Sequence, residues 1–146
     1  NTVIATIPVG AQPFGVAVTP GGTRVLVTNR ANSTVSVIDT ATNTVIATIP
    51  VGAQPFGVAV TPGGTRAYVA NTGANNVSVI DVARNSVITT VPVGTQPLGV
   101  AVTLGGTRAY AVNLTTVSVI NTATNTVEAT LGVGNNAIEV AIANVP

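Results

Sequence analysis

Apolar and polar residues alternate along the chain in short runs, each cut by Gly, Pro, Asn or Thr. In Pro13 to Thr19 (PFGVAVT), Phe14, Val16 and Val18 fall on one face and Gly15 and Ala17 on the other, the period-two pattern of a β-strand. A tight turn follows at Thr19-Pro20-Gly21-Gly22, where Pro presets φ and the next Gly is expected to supply the positive φ of a type II turn. Three more runs complete the pattern: Arg24 to Asn29 (RVLVTN), Val35 to Asp39 (VSVID) and Thr44 to Ile49 (TVIATI). The last two are joined by Asp39-Thr40-Ala41-Thr42-Asn43, residues that bond their own backbone.

The pattern repeats. Asn1 to Arg24 returns unchanged as Asn43 to Arg66, an edited copy starts at Asn85, and a partial fourth starts at Asn125, at offsets of 42, 42 and 40 residues. If each set of four runs forms one sheet, the outermost strand ends about 14 Å from the next innermost position. The linker Pro50-Val51-Gly52-Ala53-Gln54-Pro55 can reach about 20 Å, enough for a radial return. These observations predict an all-β fold of the β-propeller type: four-stranded antiparallel blades in about three and a half repeats of 40–42 residues, within one repeat domain spanning 1–146. One chain would supply an incomplete ring, because propellers close with about four to eight blades.

The LVTN of Leu26 to Asn29, the YVAN of Tyr68 to Asn71, the recurring VSVID and the TATNTVIATIPVG run resemble the YVTN family of β-propeller repeats over essentially the whole chain. The resemblance implies a propeller fold and an extracellular or cell-surface location of the surface-layer type. Two departures stand out. Gly21, Gly63 and Gly105 occupy an inner-turn position that is often acidic in that family, and the third copy is two residues shorter around Asn113 to Val117.

Composition narrows the functional classes. Hydrophobic residues make up 46% of the chain and charged residues only 6%, against about 25% in ordinary soluble domains. Solubility then rests on Thr, Asn, Ser and backbone, which also suits a cell surface or an assembly. A net charge of +1 on five scattered Arg offers no basic stripe for nucleic acid. Mean hydropathy is +0.57, yet no apolar run nears the roughly 20 residues of a spanning helix. Two Phe and two Tyr cannot build the aromatic girdles of a membrane barrel, so no membrane insertion is expected. The first residue is Asn and no signal-peptide pattern follows, as expected of a mature, processed or excerpted chain.

The inventory also opposes catalysis. Without His, Cys or Lys there is no usual general base, soft metal ligand, thiol nucleophile or Schiff-base amine, so no catalytic, cofactor or metal residues are assigned. Asp39 and Asp81 could pair as carboxylates, but the third copy has Asn121 there, which makes the same turn without charge. Glu128 and Glu139 stand in the diverged last copy, opposite Ile46 or Ile88 and Gly57 or Gly99, where a capping role or a binding role would fit. Arg24, Arg66 and Arg108 recur once per repeat, as a ligand ring or as solvated strand ends. Tyr68 and Tyr110 are expected between sheets. Asn32, Asn76 and Asn113 open N-x-S/T sequons, candidate glycosylation acceptors, although composition alone supplies about three such matches. Gly21-Gly22 lies in a strand-to-strand turn and lacks the context of a phosphate loop.

Counting strands from Asn1 gives an outer strand, three full sets and a final inner strand. The end strands, Asn1 to Ile7 and Ala137 to Ala143, would lack partners in their own chain, which directs attention to Val3, Ala5, Ile7, Ile138, Val140 and Ile142 as inter-chain contacts. Two chains forming a ring, an open filament and an excerpt of a longer propeller all fit. The sequence therefore points to a structural, self-assembling extracellular or cell-surface protein (filament, surface layer or oligomeric scaffold) with itself as partner. The alternative is a propeller module that binds a glycan, peptide or protein.

Overall fold

The computed structural model describes residues 1–142. They form three four-stranded antiparallel sheets, each with its strands in chain order, and no helix. Blade 1 comprises β1 (Pro13–Val18), β2 (Arg24–Asn29), β3 (Thr34–Asp39) and β4 (Thr44–Pro50). Blade 2 comprises β5 (Pro55–Val60), β6 (Arg66–Asn71), β7 (Asn76–Asp81) and β8 (Ser86–Pro92). Blade 3 comprises β9 (Val100–Val102), β10 (Arg108–Val112), β11 (Thr116–Asn121) and β12 (Thr126–Gly132). The blades stack in order around their inner strands and do not close a ring.

Each sheet spends its two faces differently. Leu26, Val35, Val37 and Ile49 of blade 1 pack on Ala67, Val69, Ile80 and Val82 of blade 2. The opposite face of blade 2, with Tyr68, Val77, Val79 and Val91, packs on Ala109, Ala111, Val100 and Ile120 of blade 3. One face type therefore always meets the other. Strands apolar on both sides are what such a stack requires.

The middle of each blade hides a polar residue. Asn29, Asn71 and Asn113, the last letter of the LVTN-like motif, are fully buried beneath the linker glycines Gly10, Gly52 and Gly94. Each Nδ2 donates to the serine of the neighbouring strand, Ser36, Ser78 or Ser118, at 2.8–3.0 Å. The motif's Asn thus ties two neighbouring strands of its own blade through Nδ2, with the linker glycine packed against it and its buried Oδ1 left without a hydrogen-bond partner.

Two expectations change. The first turn is not type II. Gly22, Gly64 and Gly106 have φ of 68°, whereas Gly21, Gly63 and Gly105 are not in the left-handed region. Gly22 N donates to Thr19 O at 2.7 Å, so the loop is a type I turn followed by one left-handed glycine. Gly21, Gly63 and Gly105 therefore hold a position whose φ does not require glycine. The end segments also differ from expectation: residues 1–12 and 137–142 carry no strand, because a ladder needs a partner that the chain does not supply. Ala143, the end of the expected last strand, lies outside the described residues.

The turn geometry makes a paired prediction. A Cβ on Gly63 meets open space, so Gly63→Ala should raise stability by about 0.4–1 kcal/mol through the unfolded chain. Gly64→Ala must hold a side chain at positive φ and should lose about 1 kcal/mol. Chemical denaturation of the two variants checks this; the reverse order would restore the type II turn.

Candidate functional site

The arginine series is resolved by geometry. Arg24, at the start of β2, donates from Nη1 to the Val82 carbonyl in the β7–β8 turn of the next blade, and reaches Asn85 Oδ1 at 3.4 Å. Arg66 repeats the reach, donating to Thr122 O of blade 3 at 2.6 Å. These two guanidinium groups bolt one blade to the next. Arg108 breaks the series: it pairs with Glu128 within its own blade. Each holds the other charged, and the Arg108 guanidinium is the first cause that lowers the Glu128 carboxyl from its usual range.

Tyrosine follows the same logic. Tyr68 is completely buried in the junction between blades 2 and 3, and its hydroxyl donates to Asn125 Oδ1 at 3.0 Å. Burial pushes its phenol upward. Tyr110, on the uncovered face of blade 3, is only half-buried.

Asp39 and Asp81 are turn residues. Asp39 Oδ1 accepts the amides of Ala41 and Thr42 at 3.0 and 2.9 Å, and these contacts, led by Thr42, lower its pKa. Asp81 accepts the Arg84 amide at 2.8 Å and pairs with its guanidinium at 2.7 Å, which lowers its pKa too. Asn121 accepts the corresponding amides of Ala123 and Thr124. Among the described residues no group of three or more His, Cys, Asp or Glu side chains could hold a metal.

The sequons separate by exposure. Asn32 is exposed, with its Oδ1 accepting from the Ala11 amide. Asn76 is half-buried and accepts from Asn71 at 2.8 Å. Asn113 is a correction: only 1% of its surface is exposed, and its Nδ2 donates to both Thr116 Oγ1 and Ser118 Oγ, so the folded chain does not present it.

The inner strands define the remaining candidate region. Gly57 N donates to Leu98 O at 2.9 Å across the blade 2 to blade 3 junction. Thr28 Oγ1 accepts from Gly15 N at 2.8 Å and donates to Phe56 O at 2.7 Å. The segment after β12 continues this series, although it has no ladder. Asn136 has φ of 61°, matching Gln12, Gln54 and Gln96 at the same repeat position, and Glu139 lies against Gly99 as Gly99 lies against Gly57. A cleft of about 590 Å³ runs past Phe14, Phe56, Leu98, Ile138 and Glu139. Sequence reasoning missed this cleft, because its lining comes from every copy at once.

Comparison with known proteins agrees with this architecture. The family described as YNCE-like beta-propeller matches residues 2–108. Among solved structures the fold is similar to Kuenenia stuttgartiensis hydrazine synthase (27% identity, TM-score 0.82), covering 92% of this chain and 40% of that one. It is similar to a functionally unknown protein from Desulfotomaculum acetoxidans (25% identity, TM-score 0.76), covering 90% and 45%. It also matches the fold of U3-55K (16% identity, TM-score 0.77), covering 85% and 41%. The chain thus spans less than half the length of these solved chains. No curated protein sequence matches it.

The turn carboxylates set the acid response. Asp39, Asp81 and Glu128 all have pKa values lowered in the folded state. Their stabilisation is therefore full above the unfolded carboxylate range and is lost as pH falls through the lowered values. Thermal melts should show stability falling on acidification below about pH 4. Asp39→Asn should match the parent at neutral pH and reduce this acid loss, because Asn121 already makes the turn uncharged. A large loss at neutral pH would show that the charge itself matters.

Proposed function

From the premise that this chain belongs to the YNCE-like beta-propeller family, we propose that it is a structural, self-assembling repeat protein of the cell surface or extracellular space. Its three blades would be completed by contacts with further copies. The observation that carries the proposal is a pair of bare, complementary faces. Val16 and Val18 on blade 1 are 66% and 56% exposed, whereas Val58 and Val60, their equivalents in blade 2, are covered by blade 1. At the other end Leu131 is 51% exposed, whereas its equivalents Ile49 and Val91 are 2% exposed. Blade 3 thus offers the face that blades 1 and 2 turn toward their successors, and blade 1 offers the face that receives it.

The end segments fit the same junction. Ile138 and its neighbours Val140 and Ile142 stand in the inner position of a fourth blade. Val3, Ala5 and Ile7 correspond by repeat to its outer strand, as Val45, Ala47 and Ile49 do in β4. The end segments would supply only the inner and outer edges of a blade whose two middle strands neither copy provides, so the bare faces carry the junction, in a head-to-tail contact that makes a ring or a filament according to its rotation. Low charge and the resemblance to YVTN repeats support the surface location.

Light scattering over a concentration series tests the assembly. The parent should associate, whereas Val18→Glu and Leu131→Glu should each abolish association of the pure variant. Mixing the two should restore a single junction and hence a two-chain species. A parent that stays monomeric at millimolar concentration, or variants that assemble normally, would contradict the proposal. Protease shaving of intact producing cells tests the location, which fails if the protein is released only after lysis.

A further inference from the structure

The axial cleft has a chemical character that the assembly does not explain. Phe14, Phe56, Leu98 and Ile138 hold one position of the repeat and lie in succession along it. The rings of Phe14 and Phe56 are in contact, while Phe14 and Ile138 remain 58% and 63% exposed. The volume of about 590 Å³ falls within the roughly 300–1,000 Å³ of small-molecule sites, which are mostly apolar with a few placed polar groups.

Glu139 is the only charged side chain in this lining. It stands where the other copies have Gly15, Gly57 and Gly99. A Cβ at those glycines would come within 2.3, 2.6 and 2.9 Å of the following inner segment. A side chain is therefore admissible only at the last member of the series, among the described residues, where no inner segment follows. Glu139 is itself exposed, and its carboxylate is the charged group that the lining contributes. The two ion pairs among the described residues, Arg84–Asp81 and Arg108–Glu128, leave it without a cationic partner.

An apolar wall favours a ligand with a hydrophobic body, and the lone carboxylate selects the sign of its polar end. Aromatic faces add attraction for a cation. We propose that the axial cleft binds small hydrophobic amines, the apolar body lying on Phe14, Phe56 and Leu98 and the ammonium beside Glu139.

Calorimetric titration of the full chain with phenethylammonium, phenethyl alcohol and phenylacetate tests this. The ammonium should bind about fivefold more tightly than the alcohol, as expected for a partly exposed ion pair, and the carboxylate more weakly than either. Glu139→Gln should remove the ammonium preference and leave alcohol binding unchanged. Phe14→Ala, at an exposed position, should weaken ammonium and alcohol alike. Equal affinities, a preference that survives Glu139→Gln, or no saturable binding of any probe at millimolar concentration would each overturn the proposal. Repeating the titration on Leu131→Glu, which should not associate, separates the result from self-assembly, because the cleft lining is intact in that variant.

Discussion

The structure depends on how closely neighbouring inner strands approach. At Gly15, Gly57 and Gly99 the next backbone lies where a side chain would begin, so blade spacing at the axis is set by main chain against main chain. Glycine is required there because any Cβ would push the blades apart. Once that spacing is fixed, the two faces of each sheet meet the neighbouring sheets across layers of Val, Ala, Ile and Leu. Burial of each such large side chain contributes about 1.5–3 kcal/mol.

Apolar packing supplies most of the stabilisation but little directionality. Register comes from the polar bolts: Arg24 to the Val82 carbonyl, Arg66 to the Thr122 carbonyl, Thr28 to the Phe56 carbonyl and Tyr68 to Asn125. Each links a fixed point on one blade to a fixed point on the next. The last copy departs from these rules in two places. Glu128 takes up Arg108, and Glu139 replaces the inner glycine, so the far side of blade 3 is chemically distinct from the internal junctions. These changes place carboxylates where the other copies have Ile46 or Ile88 and Gly15, Gly57 or Gly99.

The strands were largely legible. Arg24–Asn29 has the bounds that the pattern predicts, and the other blade strands differ by a residue or so, apart from β9, which shortens to Val100–Val102, whereas the two expected end strands are not formed among the described residues. Local chemistry carries that information: alternation, turn residues and an unchanged repeat. What escaped was set by distance or by exact backbone angle. Nothing near Arg24 in sequence reveals Val82, 58 residues away, so the arginines could read as a ligand ring. Gly21 and Gly22 are chemically identical, and only the fold decides which adopts positive φ. Asn113 fits a sequon perfectly, but the burial that withholds it comes from the linker passing over it. The axial cleft was invisible for a related reason: its lining residues are about 40 positions apart.

The central claim is that the outer faces of blades 1 and 3 are unfinished interfaces. Amide hydrogen exchange across a concentration series tests it segment by segment. Protection of β1 and β12 should rise with concentration, while β6 and β7, enclosed on both sides within one chain, stay unchanged. Exchange in β1 and β12 that is independent of concentration would show that these faces meet no second copy.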